Sequence, residues 1–127
     1  MELNLVEKEK LKNLGVKALI LFGSQAQGIA NSNSDYDFYV VGNKNNETYE
    51  FLYDLLSNKI NKQINIDIVF EEEATMELKN HLVKYGQVIY QENENVFPNL
   101  KAQIMTLYQD FAPYRQMFQS ATLARIN

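Results

Sequence analysis

An α/β (α+β) fold, a small mixed β-sheet flanked by helices, is what this sequence predicts. Three observations carry it. Short apolar runs of β-forming residues recur at 17–22, 36–41 and 63–70, amphipathic stripes at helical spacing lie between them, and 127 residues suit one compact core. Hydrophobic residues are 46% and charged residues 22% of the chain, a balance that buries a core and excludes a disordered polymer.

The elements follow in order. Residues 2–14 read as a helix, with Leu3, Val6, Leu11 and Leu14 near helical spacing and Gly15 as a stop. The run 17–22 (KALILF) is a short apolar strand ended by Gly23-Ser24. Asn31 to Ser34 is turn chemistry, and 36–41 (YDFYVV) is aromatic and β-branched, hence a strand. Residues 47–60 form an amphipathic helix with Leu52, Leu55, Leu56 and Ile60 as its stripe. Residues 63–70 alternate: Ile64, Ile66, Ile68 and Phe70 share one face, and Asn65, Asp67 and Val69 the other. A second helix is expected at 71–85, opened by Glu71, Glu72 and Glu73 and followed by Gly86. A short strand at 87–90 and a polar linker at 92–95 come next. Residues 97–126 read as a helical tail with Leu100, Ile104, Leu107, Phe111 and Phe118 as its seam, kinked at Pro113. The expected division is a domain at 1–91 and a helical extension at 92–127.

Composition narrows the function. Twelve basic and sixteen acidic side chains leave a net charge of −4, a poor match for duplex nucleic acid, whose affinity comes largely from phosphate neutralisation. The longest unbroken apolar run, 18–22, is far short of a membrane span. With no cysteine there is neither a disulfide framework nor a thiolate metal site, and Met1-Glu2-Leu3-Asn4 shows no signal segment, so a cytoplasmic location is expected.

The chemistry concentrates in one stretch: Gly23-Ser24, ten residues, then Asp35-Tyr36-Asp37. Alternate residues of a strand project to one side, so Asp35 and Asp37 share a face. Two carboxylates at that spacing repel unless a cation lies between them, and oxygen-only ligands suit Mg²⁺. Asp67 lies on the polar side of another strand; if the two strands are neighbours, it joins the pair. A glycine ending a buried strand lets a phosphate approach the backbone, and a short helix starting near Ser24 would offer it free N–H groups. Together these are the minimum apparatus for phosphoryl or nucleotidyl transfer.

The G-S-x₁₀-D-x-D pattern, with the later Asp67 in I-D-I-V, resembles the minimal nucleotidyltransferases of the DNA polymerase β superfamily. The resemblance covers residues 1–91 and runs through the Y-G-Q-V-I-Y-Q segment. Residues 104–117 (IMTLYQDFAPYRQM) resemble the C-terminal helix of the antitoxin branch, the MNT partners of HEPN ribonuclease toxins. The resemblance implies a polymerase β-like fold in which Gly23 and Ser24 hold the triphosphate of ATP. Asp35 and Asp37 would bind Mg²⁺, as one or two ions, while Asp67 completes the metal site and helps to deprotonate the attacking hydroxyl. It implies an antitoxin that transfers AMP to a tyrosine of a cognate HEPN toxin, in hetero-oligomeric contact with it. Where many such proteins carry Arg after the serine, Gln25 and Gln27 stand here, and the only arginines, Arg115 and Arg125, are in the tail.

Two other functions compete: a small-molecule nucleotidyltransferase of the aminoglycoside type, for which 92–127 leaves little room as a substrate domain, and a non-enzymatic binding antitoxin, which has no need of three clustered carboxylates. His81, the single histidine, reads as a solvated helix residue. The tail aromatics and both arginines are expected to meet a partner, with packing back onto the sheet as the alternative.

Overall fold

The structure, a computed structural model, describes residues 1–29, 34–60 and 65–110. Four strands form one mixed sheet: β1 (Ala18–Phe22), β2 (Tyr36–Val41), β3 (Ile66–Phe70) and β4 (Gln87–Gln91), in the order β3-β2-β1-β4. β1 runs antiparallel to β2 and to β4, with a register shift against β4 between Leu19 and Ile20, whereas β2 and β3 are parallel. Parallel neighbours need a crossover, and α3 (Asn46–Lys59) provides it. All five residues of β1 are buried, as a strand with neighbours on both edges and cover on both faces must be.

On the first face, Leu19, Leu21, Phe38, Val40, Ile68 and Phe70 pack against Leu11 of α1 (Leu5–Asn13) and Leu52 and Leu56 of α3. The first helix starts at Leu5 instead of residue 2, because Asn4 and Glu7 exchange two capping bonds of 2.8 Å. Val6, expected on the buried stripe, is thereby turned outward and is 77% exposed. Lys59 closes on Glu7 at 2.9 Å and joins the ends of α3 and α1.

On the second face, Ala18, Ile20, Phe22, Tyr39 and Val41 meet Leu82 of α4 (Met76–Tyr85) and Phe97, Leu100 and Ile104 of α5 (Val96–Asp110). The glutamate run does not open α4. It forms a 3₁₀ turn, Glu71–Glu73, in which Glu73 accepts from the Phe70 amide (3.1 Å) and pairs with Lys44 (2.7 Å). The helix begins three residues after that turn, where Thr75 caps the Leu78 amide. Gly86 is not left-handed; a Cβ there would come within 2.5 Å of the Leu82 carbonyl oxygen, 3.0 Å of Ile20 Cγ2 and 3.2 Å of Phe97, so the close approach of the end of α4, β1 and α5 selects the glycine.

β4 ends at Gln91 and α5 starts at Val96, and α5 packs on the second face of the sheet. Of the expected seam, Leu100 and Ile104 are buried while Leu107 is 41% exposed; Phe111, Pro113, Tyr114, Arg115, Phe118 and Arg125 lie outside the described residues. So do Ile64 and the turn residues Asn31 to Asn33. No described helix is long and apolar enough to cross a membrane.

Candidate active site

Alternation along β2 puts Asp37 on the face of Tyr39 and Val41, the side covered by α4 and α5. It lies near the N-terminal end of the strand, opposite Phe22, where β1 stops. On its other edge Asp37 is in register with Asp67 of β3. Side chains directly opposite on neighbouring strands are the closest pairs a sheet makes, so the parallel pairing brings the second and third expected carboxylates together. Asp35 precedes β2 by one residue; it and Asp67 are exposed, and Asp37 is half-buried. Burial raises the Asp37 carboxyl above its ordinary value, and the charges of Asp67 and Asp35 push it further up.

Beside this pair, β1 turns into α2 (Gly23–Gln27). Gly23 has φ +75°, and a Cβ on it would run into the Asp37 carboxylate. Only glycine satisfies both demands, the left-handed backbone and the close approach. Ser24 follows in the first turn of α2, half-buried, one residue from the Gly23–Asp37 contact. Gly28 ends α2 in the left-handed conformation. The two glutamines of the stretch differ from the arginines the resemblance would supply: Gln25 donates from Nε2 to the Ser34 carbonyl at 3.2 Å, tying α2 to the start of the D-x-D segment. From β4, Gln87 fixes α2 again through the Ala26 carbonyl at 2.7 Å.

The donor set fits a hard divalent cation. It is oxygen-only, and its central carboxyl is raised in pKa first by burial and then by the charges of Asp67 and Asp35, a penalty that a cation relieves. Among the described residues no group of three or more His, Cys, Asp or Glu side chains is placed to hold a metal ion; what the fold brings together is the in-register pair Asp37 and Asp67. Mg²⁺ does not ask for three, because it binds one or two carboxylates and takes its other ligands from substrate phosphates and water.

His81 departs from expectation. It is half-buried, and its Nε2 accepts from the Gly23 amide at 3.1 Å. Its ring meets Phe22 edge-on (6.2 Å) and Tyr85 (5.0 Å). The signal that points to this is helical spacing: His81 is three residues after the partly buried Leu78 and next to the buried Leu82, which sets it at the inward side of α4.

Comparison with known proteins shows the family and the fold. The family described as Polymerase beta, Nucleotidyltransferase matches residues 6–95. The protein adenylyltransferase MntA of Aphanizomenon flos-aquae (strain 2012/KM1/D3) is 31% identical over 101 residues, 71% of this chain and 67% of that protein. Among solved structures, a toxin–antitoxin with AMP-PNP superposes with a TM-score of 0.69 at 22% identity, covering 94% of this chain and 99% of that one. The tri-AMPylated Shewanella oneidensis HEPN toxin in complex with MNT antitoxin matches with a TM-score of 0.60 at 17% identity, covering 92% and 97%.

Proposed function

Because the chain belongs to the polymerase β nucleotidyltransferase family, we propose that it is an antitoxin-type protein adenylyltransferase, moving AMP from ATP to a tyrosine hydroxyl of a cognate HEPN ribonuclease toxin. The observation that carries the reading is the in-register pairing of Asp37 with Asp67 beside the Gly23-Ser24 turn. The 31% identity to a protein adenylyltransferase supports the choice of a protein acceptor over a small molecule.

In this reading Asp35, Asp37 and Asp67 hold Mg²⁺, which when bound supplies neutralisation of phosphate charge and acidifies the acceptor hydroxyl. The Ser24 hydroxyl donates to a phosphate oxygen, and the turn at Gly23 lets the triphosphate come close to the backbone. The tyrosine oxygen bonds to the α-phosphorus, the bond from that phosphorus to the bridging oxygen breaks, and pyrophosphate leaves with the electron pair. Asp67 accepts the proton of the attacking hydroxyl. The exposed Met105 (53%) and Leu107 (41%) of α5 offer apolar contact to the partner.

The test is incubation of the protein with α-labelled ATP, Mg²⁺ and the HEPN protein encoded beside it. Label should enter the HEPN protein, and Asp37→Asn should abolish the transfer. A stable, neutralised complex that never takes label would establish the binding antitoxin instead. Label appearing only on an added aminoglycoside would establish the small-molecule enzyme.

A further inference from the structure

We infer that His81 is a positioning residue of the nucleotide site, holding the Gly23-Ser24 turn against Asp37 through the Gly23 backbone amide; this rests on the proposed nucleotidyl transfer. The geometry is a relay of two contacts. α4 presents the imidazole, whose Nε2 takes the Gly23 N–H at 3.1 Å across 58 residues of sequence. The far side of the same glycine lies against the Asp37 carboxylate, so closely that no Cβ fits between them. The peptide plane at Phe22–Gly23 is therefore gripped from α4 while its Cα abuts the central carboxylate.

The imidazole is itself held. Phe22 meets it edge-on at 6.2 Å and Tyr85 lies against it at 5.0 Å. To accept at Nε2 the ring must be neutral with its proton on Nδ1. Burial, and then the charge of Lys84, keep it neutral by lowering its pKa. The backbone alone cannot replace this bond. α2 has only five residues, and Gly23 opens it, so the Gly23 amide has no partner within its own helix. Without an acceptor, a glycine at φ +75° loses the bond that fixes its peptide plane, and Gln25 and Gln87, which hold α2 further along, set the distance between Ser24 and Asp37 less tightly.

The experiment compares His81→Ala and His81→Gln with the wild type. Glutamine carries an acceptor oxygen at similar reach, whereas alanine carries none. His81→Ala should lower kcat for AMP transfer about tenfold, the loss of one oriented hydrogen bond, with KM for ATP little changed. His81→Gln should recover most of that rate. Amide hydrogen exchange reads the bond without substrate: Gly23 should be protected in the wild type and in His81→Gln and unprotected in His81→Ala. Equal protection of Gly23 in all three proteins overturns the inference, and so does a wild-type kcat in His81→Ala. Equal loss of rate and melting temperature in both variants also overturns it, by showing a packing role alone. If the wild type transfers no AMP while the exchange pattern holds, the proposed chemistry fails and the His81–Gly23 link stands.

Discussion

Replacing Asp37 by asparagine should make the metal-free protein slightly more stable while ending the proposed transfer of AMP. Asp37 and Asp67 are opposed in register on neighbouring strands, which lie about 4.8 Å apart. Two like charges about 5 Å apart repel by about 0.8 kcal/mol in water and about 3 kcal/mol at an effective dielectric of 20. Asp67 is exposed, so the lower figure governs, in line with the roughly 0.2–1 kcal/mol found for cross-strand pairs. Removing the Asp37 charge should gain about 0.5–1 kcal/mol, or roughly 2–5 °C in Tm for a domain of this size. The pH dependence has a definite sign. The folded-state pKa of Asp37 is raised, first by burial and then by Asp67 and Asp35. The native state therefore holds its proton more tightly than the unfolded chain, and the penalty grows as pH rises through the window between the two values. The advantage of Asp37→Asn should be full at pH 7, shrink as pH falls through the raised value, and vanish below the ordinary aspartate range. Thermal melts of both proteins across that range, with and without Mg²⁺, are the assay. A variant that melts several degrees lower at pH 7 would show that the carboxylate is a structural anchor, and a gain that persists at the acid end would show that charge is not the cause.

Ser24→Ala should slow AMP transfer by about ten- to a hundredfold, since a hydrogen bond to a charged phosphate is worth roughly 1.5–3 kcal/mol; an unchanged rate in the labelled-ATP assay would leave the holding to backbone amides. Gly23→Ala should destabilise the protein by at least about 1–2 kcal/mol from the left-handed backbone alone, and it should abolish transfer by driving the Asp37 carboxylate aside; denaturant melts and the labelled-ATP assay check the two effects. Truncation after Asn95 removes Phe97, Leu100 and Ile104 from the second face of the sheet. At about 1.5–3 kcal/mol for each buried side chain, that loss rivals the whole stability of a small domain, so the truncated chain should be insoluble or unfolded by circular dichroism instead of a free-standing nucleotide-binding domain. Met105→Asp with Leu107→Asp, by contrast, should leave Tm near its wild-type value and weaken co-purification with the proposed HEPN partner, because both side chains are exposed.

Short-range spacing was enough to determine the strands and the site-bearing turn. The two-residue repeat of 66–70 is a local property, written wherever one face of a strand is more buried than the other. Glycine and serine at the end of an all-apolar run likewise announce a turn at a strand's end, whatever surrounds it. Capping shifted the helix starts by a few residues, because Asn4 and Thr75 terminate their helices through side-chain bonds that apolar periodicity does not register. What only the tertiary structure decided is which strand lies beside which and in which direction. The alternation in 66–70 says that Asp67 faces away from Ile68; it does not say that β3 runs parallel to β2 or that Asp67 falls opposite Asp37. The same is true of α5, whose apolar stripe suits a partner as well as it suits the sheet, until the uncovered face of Ala18, Ile20 and Phe22 claims it. His81 is the sharpest case. Its role depends on an amide 58 residues away that has no acceptor in its own helix, and such a need arises only when the chain is folded, because a buried backbone donor must be satisfied by whatever side chain the packing brings near.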